Sequence, residues 1–233
     1  MVKPRILVTG FNDWENLGTP ANVWKCSANP SCRLMVGAES SARPTSFGGF
    51  LPSVLRLRTE FDWTFLTLPT TWRTFTTIKK YDTYDVAIHL GLGVYGNVYD
   101  VIKVEHGAID LRQGTDASGA LPSSSTTGGA TALDLVDPIS VNIKRIENKT
   151  YAGFKILRAK PRRENSYICN ETNSLALQAV RRSRAANKTL SEAYFLHLPY
   201  ADPGVAVGYK NLAKGVAATI LALLEGRGSP SRR

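Results

Sequence analysis

One cysteine of this chain stands where its sulfur could act as a nucleophile. Cys169 lies in NSYICNETNSLALQAV, residues 165–180, where turn-forming residues precede the first turn of a predicted helix. Asn165 or Ser166 is predicted as the N-cap, which puts the thiol in that first turn. The N–H groups and positive dipole of a helix start favour a thiolate and could stabilise an oxyanion. The alternative is a small buried apolar side chain, since free cysteine is among the most buried residue types.

A nucleophilic cysteine needs a base, and the chain has three histidines. His197 in YFLHLPY and His89 in AIHLGLG both lie near the C-terminal end of a predicted strand, whereas His106 is less clearly placed. The residues alone therefore leave His89 and His197 as candidates for the base. A third group is expected to orient the base. The acids that qualify by residue type are Asp85, Asp100, Glu105 and Asp110.

Near-continuous apolar runs are predicted to form the buried strands that position these groups. The runs are RILVTGF (5–11), DWTFLTL (62–68), YDVAIHLGLG (84–93), GFKILRA (153–159) and AYFLHLPY (193–200). Such runs are typical of parallel strands that helices cover on both faces.

Helical patterns lie between and after these strands. One follows Cys169, one begins at Asp137 with Pro138 in its first turn, and one runs from Leu212 to Leu224. Strands that alternate with helices predict an α/β fold, a three-layer αβα sandwich around a mostly parallel twisted sheet. In such sheets the reactive groups collect at the carboxyl ends of the strands and at the helix starts that follow.

Length and composition favour one domain. The chain has 233 residues, of which 43% are apolar, and this is enough for one large core. We predict a single α/β domain over residues 1–225, with a mobile Gly/Ser/Thr-rich loop near 115–132. Residues 226–233 are predicted to form a disordered basic tail.

Cysteine usage and hydropathy bear on the cellular compartment. Cys26, Cys32 and Cys169 are too few for a disulfide framework, so we expect all three to be reduced. Their spacing does not fit a zinc site, and no cofactor is expected. The sequence has no run of eighteen apolar residues and no signal-peptide pattern, so we expect a cytoplasmic protein that does not bind membranes.

A formal net charge of +10 could attract nucleic acid. The basic residues are scattered, apart from KPRR (160–163), RRSR (181–184) and GRGSPSRR (226–233), and no aromatic residues interleave them. We therefore favour a basic solvated surface over a nucleic-acid site, which would reveal itself by salt-dependent retention on DNA or RNA. The glycines of GLGVYG do not have the spacing of a nucleotide-binding loop.

Eight short segments, taken in chain order, match one known family. They are ILVTGF (6–11), NPS (29–31), LPTTW (68–72), YDVAIHLGL (84–92), VEHGAID (104–110), DASG (116–119), YICN (167–170) and FLHLPY (195–200). Each match is weak alone, but their ordered succession over nearly the whole chain resembles the pyroglutamyl peptidase I family. These enzymes, also called pyrrolidone carboxyl peptidases, are cysteine peptidases.

The resemblance implies a hydrolase that removes an N-terminal pyroglutamyl residue from peptides through a thioacyl-enzyme. It implies Cys169 as nucleophile, His197 as base and Glu105 as orienter, which resolves the choice between the two histidines. The implied substrate-binding residues are Phe11, Trp14, Leu92 and Arg112, with the two aromatic rings flanking the lactam. The implied partners are peptides with an N-terminal pyroglutamate and, as in some members of the family, further copies of the chain.

The chain also departs from the family pattern near these residues. It has extra residues between Trp14 and Asn29, GVYGN where the family has Gly-Arg, and Glu164 and Asn165 in place of an Ala-Gly pair. These departures motivate a second hypothesis, a catalytically reduced homologue that uses the same pocket to bind a ligand or a partner.

Overall fold

The computed structural model describes most of the chain. The described residues are 2–12, 14–16, 22–24, 26, 29–37, 47–94, 96–128, 137–163, 166–200 and 208–227. For residues 14–16, 22–24 and 137–141 only the backbone is described.

Strands and helices alternate along the described chain. The strands are β1 (Arg5–Phe11), β2 (Trp14–Asn16), β3 (Asn22–Trp24), β4 (Asp62–Leu68), β5 (Val86–Val94), β6 (Val101–Glu105), β7 (Thr150–Tyr151), β8 (Phe154–Ala159) and β9 (Glu192–Pro199). The helices are α1 (Pro30–Val36), α2 (Phe50–Leu55), α3 (Asp137–Ile146), α4 (Ile168–Ala185) and α5 (Gly208–Leu223), with 3₁₀ turns at Thr74–Thr77 and Tyr81–Thr83. Every apolar run predicted as a strand forms one, and the three helical patterns form α3, α4 and α5.

Seven of these strands form one mixed sheet in the order β4-β1-β5-β9-β6-β8-β7. Neighbouring strands from β4 to β9 are parallel, and β6 is parallel to β8. In contrast, β6 runs antiparallel to β9, and β7 runs antiparallel to β8. The predicted mostly parallel sheet is confirmed, with a reversal of direction between β9 and β6. The strands β2 and β3 pair with each other in a separate ribbon.

Helices cover both faces of the sheet. Helices α1, α2, α3 and α5 contribute to the core on one face, and α4 with the 3₁₀ turns packs on the other. Side chains of a strand alternate between the two faces, so a strand covered on both must be apolar throughout. In β1, Ile6, Leu7 and Val8 are accordingly fully buried. The predicted three-layer αβα architecture is confirmed.

Part of the loop predicted to be mobile is anchored by hydrogen bonds of one carboxylate. Asp116 accepts hydrogen bonds from the backbone N–H groups of Trp72 (3.1 Å), Ser118 (2.9 Å) and Ala120 (3.0 Å). Residues 129–132 of this loop lie outside the described residues, and its mobility stays a prediction.

The first residues of the predicted basic tail continue the described chain. Arg227 forms an ion pair with Glu192, a buried residue at the start of β9. Residues 228–233 lie outside the described part, so the predicted disorder of the tail stays untested.

Candidate active site

Cys169 lies in the first turn of α4, which packs on one face of the sheet. The N-cap is Tyr167, so the prediction of Asn165 or Ser166 at that position is wrong. The Ser166 hydroxyl is instead engaged with the backbone carbonyl of Arg163, at 2.6 Å. The predicted place of the thiol in the first helical turn is confirmed, and a helix start favours negative charge there.

His197 forms a hydrogen bond with Cys169 on one side and with a carboxylate on the other. Its Nδ1 lies 2.7 Å from Oε1 of Glu105. A carboxylate only accepts hydrogen bonds, so Nδ1 carries the hydrogen and Nε2 is the nitrogen left for the thiol. Sulfur, imidazole and carboxylate therefore lie in the order that a nucleophile, a base and an orienting group require.

The surroundings of His197 favour its charged form. Burial by itself lowers the pKa of His197, but hydrogen bonds to Cys169 and Glu105, with the negative charges of these groups, raise that pKa to about 9. The imidazole is therefore held as an imidazolium across neutral pH. An imidazolium beside a sulfur at a helix start stabilises the thiolate, the form in which cysteine is a nucleophile.

The reversal of β6 brings the carboxylate to the histidine. Lys103 of β6 is paired with His197 of β9 in antiparallel register. Glu105 lies two residues further along β6, so its side chain projects from the same face, diagonally opposite His197. The site thus combines the carboxyl end of the parallel strand β9 with a residue from an antiparallel neighbour.

Two glycines of β5 make room for the site. A Cβ atom on Gly91 would lie 2.9 Å from Sγ of Cys169 and 2.9 Å from the ring of Phe195. A Cβ atom on Gly93 would overlap the ring of His197. Any larger residue at either position would displace the sulfur or the imidazole. In the sequence these glycines argued only against a nucleotide-binding loop, and their role beside the sulfur was not predicted.

Aromatic rings pack against the imidazole of His197. The ring of Phe195 meets that of His197 edge to face, with centroids 5.0 Å apart. Phe11 lies 6.3 Å from Phe195 on the other side and is 4% exposed. The end of β1 is fixed by Asn29, whose amide donates to the carbonyl of Phe11 (3.0 Å), and by Ser31, whose Oγ accepts from the N–H of Phe11 (3.2 Å). The Asn-Pro-Ser segment thus positions Phe11 beside the site.

A small pocket opens beside the sulfur, with a cavity volume of about 10 Å³, which is about the room that one water molecule needs. Its lining comes from β6, β9, the start of α4 and the segments that follow β6 and β8. The lining residues are Glu105, Gly107, Pro161, Arg162, Cys169, Asn170, Asn173 and His197. Arg162 was not among the predicted site residues, because it belongs to a basic run that was interpreted as solvated surface.

Two asparagines of α4 hold the chain that follows β6. The amide of Asn170 donates to the carbonyls of Ile109 and Leu111, both at 2.9 Å, and its Oδ1 accepts from the N–H of Ile109. The amide of Asn173 donates to the carbonyl of Gly107 at 2.8 Å. These bonds fix one wall of the pocket to the helix that carries the thiol.

Within the described ranges, no group of three or more His, Cys, Asp or Glu residues is arranged to hold a metal ion. No helix among those same residues is both long enough and apolar enough to cross a membrane.

Several solved structures have the same fold as this chain. Pyroglutamyl peptidase I from Bacillus amyloliquefaciens superposes with a TM-score of 0.59 at 19% identity, over 94% of this chain and 97% of that chain. A mutant pyrrolidone carboxyl peptidase from Pyrococcus furiosus gives 0.60 at 18% identity, over 95% and 98%. That of Thermus thermophilus gives 0.53 at 20% identity, over 91% and 99%.

The chain has the fold of the pyroglutamyl peptidases. No family model matches its sequence. No curated protein matches it either. The similarity therefore lies in the arrangement of helices and strands rather than in overall sequence.

Arg112, which the resemblance placed at the substrate site, forms a buried ion pair. Its Nε and Nη2 both lie 2.6 Å from Oε1 of Glu171, and neither side chain is more than 8% exposed. The other oxygen of Glu171 accepts from the N–H of Arg73 at 2.8 Å, and Nη1 of Arg112 donates to the carbonyl of Thr126. This pair connects the first turn of α4, two residues from Cys169, to the loops that contain Arg73 and Thr126.

Two other residues that were predicted to bind substrate are Leu92 and Trp14. Leu92 lies in β5 between Gly91 and Gly93, and strand alternation turns its side chain to the opposite face of the sheet. The backbone of Trp14 belongs to β2, and its side chain lies outside the described residues. Glu164 and Asn165, which replace the Ala-Gly pair of the family, also lie outside them.

The second candidate base, His89, is part of a buried polar cluster. Its Nδ1 lies 2.8 Å from the hydroxyl of Thr9, and its Nε2 lies 2.8 Å from the hydroxyl of Tyr81. Burial lowers the pKa of His89 to about 3, so the ring is neutral at physiological pH. Both ring nitrogens are occupied by these hydroxyls, which agrees with a structural role.

The prediction that all three cysteines are reduced is wrong for two of them. Cys26 and Cys32 form a disulfide, and their Cα atoms are 5.0 Å apart. Asn29 caps α1, the helix that contains Cys32, and its Oδ1 accepts a hydrogen bond from the N–H of Ser31 at 3.1 Å. Cys169 is the free cysteine.

Proposed function

We propose that this protein is a cysteine peptidase that removes an N-terminal pyroglutamyl residue from peptides. The observation that carries the proposal is the contiguous row of Cys169, His197 and Glu105 at a helix start. The pyroglutamyl peptidase fold supports it, since the row lies at the segments that resemble that family. The free, partly exposed thiol of Cys169 is available for acylation.

Acylation begins when the Cys169 thiolate attacks the carbonyl carbon that joins pyroglutamate to the next residue. A bond forms from Sγ to this carbon, and the oxygen becomes an oxyanion next to the N–H groups at the start of α4. The C–N bond then breaks, and the His197 imidazolium gives its Nε2 proton to the departing amine. Glu105 keeps Nδ1 protonated and the ring oriented throughout.

Deacylation returns the enzyme to its starting state. The neutral His197 takes a proton from water while the water oxygen attacks the thioester carbon. The C–S bond breaks, free pyroglutamate leaves, and the thiolate with its imidazolium is restored. Atoms and charges balance over the cycle without a cofactor.

Release of a fluorescent amine from a pyroglutamyl substrate tests the proposal. We expect turnover by the purified protein, and losses of about 10²- to 10⁴-fold in Cys169→Ser and His197→Ala. Proline in place of pyroglutamate is the control substrate, because it keeps the five-membered ring but has a charged amine in place of the neutral lactam. Absence of turnover by a folded protein with a reactive Cys169 would sink the peptidase proposal and favour the binding homologue instead.

A further inference from the structure

Arg162 is a charged residue of the pocket that has no partner among the described residues. It lines the pocket together with Cys169 and His197, and its side chain is exposed. Its guanidinium forms no hydrogen bond and no ion pair with any residue in the described ranges. An unpaired guanidinium at the mouth of a reactive site is available to a ligand.

Among the described residues, the rest of the pocket lining does not neutralise this charge. Glu105, the pocket's carboxylate, is engaged with Nδ1 of His197. The remaining residues of the lining, apart from the thiol and the imidazole, are uncharged: Gly107, Pro161, Asn170 and Asn173. The asparagine side chains are bonded to the backbone of the neighbouring loop. Arg162 therefore makes the pocket attractive to an anion.

The position of His197 determines which part of a substrate would meet Arg162. His197 must protonate the departing amine, so the amino-acid residue attached to that amine lies on the imidazole side of the sulfur. The pocket that holds the imidazole also holds Arg162. A guanidinium binds a carboxylate through parallel N–H donors, and this geometry distinguishes a carboxylate from an amide.

We propose that Arg162 binds a carboxylate on the residue that follows pyroglutamate, so that the enzyme prefers peptides with an acidic second residue. This proposal rests on the peptidase function proposed above and names its substrate class. Because Arg162 is exposed, solvent screens the interaction, and the expected preference is roughly two- to fivefold.

Matched peptides measure this preference. Substrates with Glu or Gln after pyroglutamate, and otherwise identical, differ only in the carboxylate. We expect a kcat/KM ratio of roughly two to five in favour of Glu at low salt, and a ratio near one at about 1 M salt. Arg162→Gln should abolish the preference for Glu over Gln.

Arg163→Gln is the matched control, because Arg163 is adjacent and exposed but does not line the pocket. No preference, or one that survives in Arg162→Gln, would overturn the proposal.

The rate of Cys169 alkylation tests whether the charge of Arg162 attracts anions, and it needs no peptide substrate. Iodoacetate and iodoacetamide both need the thiolate, so the ratio of their rate constants isolates the effect of the reagent's negative charge. We expect Arg162→Gln to lower this ratio and Arg163→Gln to leave it unchanged. If no pyroglutamyl peptide is cleaved, the peptidase proposal fails, whereas a ratio lowered only in Arg162→Gln still supports anion recognition. The same iodoacetate-to-iodoacetamide ratio in the wild type, Arg162→Gln and Arg163→Gln would refute anion recognition by Arg162.

Discussion

The backbone of Gly91 lies against the sulfur of Cys169, so that a Cβ atom at Gly91 would stand 2.9 Å from Sγ. Gly91→Ala must therefore move the thiol or the ring of Phe195, which would also stand 2.9 Å away. Because a shift of about 1 Å in a reacting group can cost on the order of 10²-fold, we expect kcat to fall by that amount. Gly48→Ala is the control, since no atom lies within 4 Å of a Cβ placed there.

Steady-state kinetics and the rate of Cys169 alkylation measure the effect of Gly91→Ala. A circular dichroism spectrum like that of the wild type would show that the fold is retained. Wild-type kcat in Gly91→Ala would contradict the idea that strand β5 positions the sulfur.

The hydrogen bond from His197 to Glu105 predicts a pH dependence. The pKa of His197 is raised from 6.5 to about 9, so the imidazolium, which protonates the leaving amine in the proposed mechanism, is lost as the pH rises through about 9. We expect kcat/KM to decline over the same range. Glu105→Gln removes a group that raises this pKa, so the alkaline limb of the pH profile should move to lower pH. If the alkaline decline of kcat/KM occurs at the same pH in Glu105→Gln, a group other than His197 controls that decline.

The same shift has a consequence for stability. A group whose pKa is higher in the folded state stabilises the fold fully at low pH, and this contribution disappears as the pH rises through the folded value. His197 therefore stabilises the protein below pH 6.5 and ceases to do so above about 9.

Much of the fold could be predicted because the signals are local. The apolar runs of β1, β5 and β9 indicate strands buried on both faces, and parallel strands align their carboxyl ends at one edge. That edge is where His197 lies. Cys169 could be placed in the first turn of α4 because turn-forming residues directly precede an amphipathic pattern.

The remainder of the site depends on contacts that are distant in sequence. Glu105 meets His197 because β6 runs antiparallel to β9, and no local pattern in VIKVE specifies its direction. The sulfurs of Cys26 and Cys32 are bonded to each other, and the number of cysteines in the sequence does not reveal this pairing. Likewise, the sequence alone does not indicate that Gly91 and Gly93 lie against the side chains of Cys169 and His197.

Breaking the buried pair of Arg112 and Glu171 should destabilise the protein. An unpaired buried charge costs about 3–5 kcal/mol, so we expect Arg112→Met to lower the free energy of unfolding by that amount. The double variant Arg112→Met with Glu171→Gln leaves no unpaired charge and should recover part of the loss. Denaturant unfolding measures both. An equal or greater loss in the double variant would show that the pair does not act through its charges.

The disulfide between Cys26 and Cys32 predicts an oxidised, more stable protein. The two cysteines are six residues apart, and closing so short a loop stabilises the folded state by about 2 kcal/mol in the chain-entropy account. The Cys26→Ser, Cys32→Ser double variant should lose that amount in denaturant unfolding. Cys169, which is not part of the bond, should alkylate at an unchanged rate.

The redox state of this pair also tests the predicted compartment. Disulfides are rare in the reducing cytosol, so the bond and the cytoplasmic prediction favour different compartments. Rapid acid trapping and alkylation of the protein in its native cells would reveal the state. A bond found intact there would contradict the cytoplasmic prediction, and two alkylated thiols would support it.

The buried cluster around His89 predicts a loss of stability in mild acid. In the unfolded chain His89 binds a proton below about pH 6.5, whereas in the folded protein burial lowers its pKa to about 3. Between these values the unfolded state binds one more proton, so the free energy of unfolding falls by about 1.4 kcal/mol for each pH unit lost. His197 contributes a small slope of opposite sign near pH 6.5, where it is only partly protonated in the unfolded chain, and this contribution is the same with and without a substitution at His89.

The variant His89→Gln isolates this contribution. Its amide can still bond the hydroxyls of Thr9 and Tyr81, which lie 2.8 Å from the ring nitrogens, but it does not titrate. His106, whose pKa is also lowered, first by its partial burial, contributes equally to both proteins and cancels in the comparison. Urea unfolding between pH 6.5 and 5.5 should show a steeper loss in the wild type than in His89→Gln. Equal slopes would mean that water reaches His89 in the folded state, so that the ring accepts its proton at an ordinary pH.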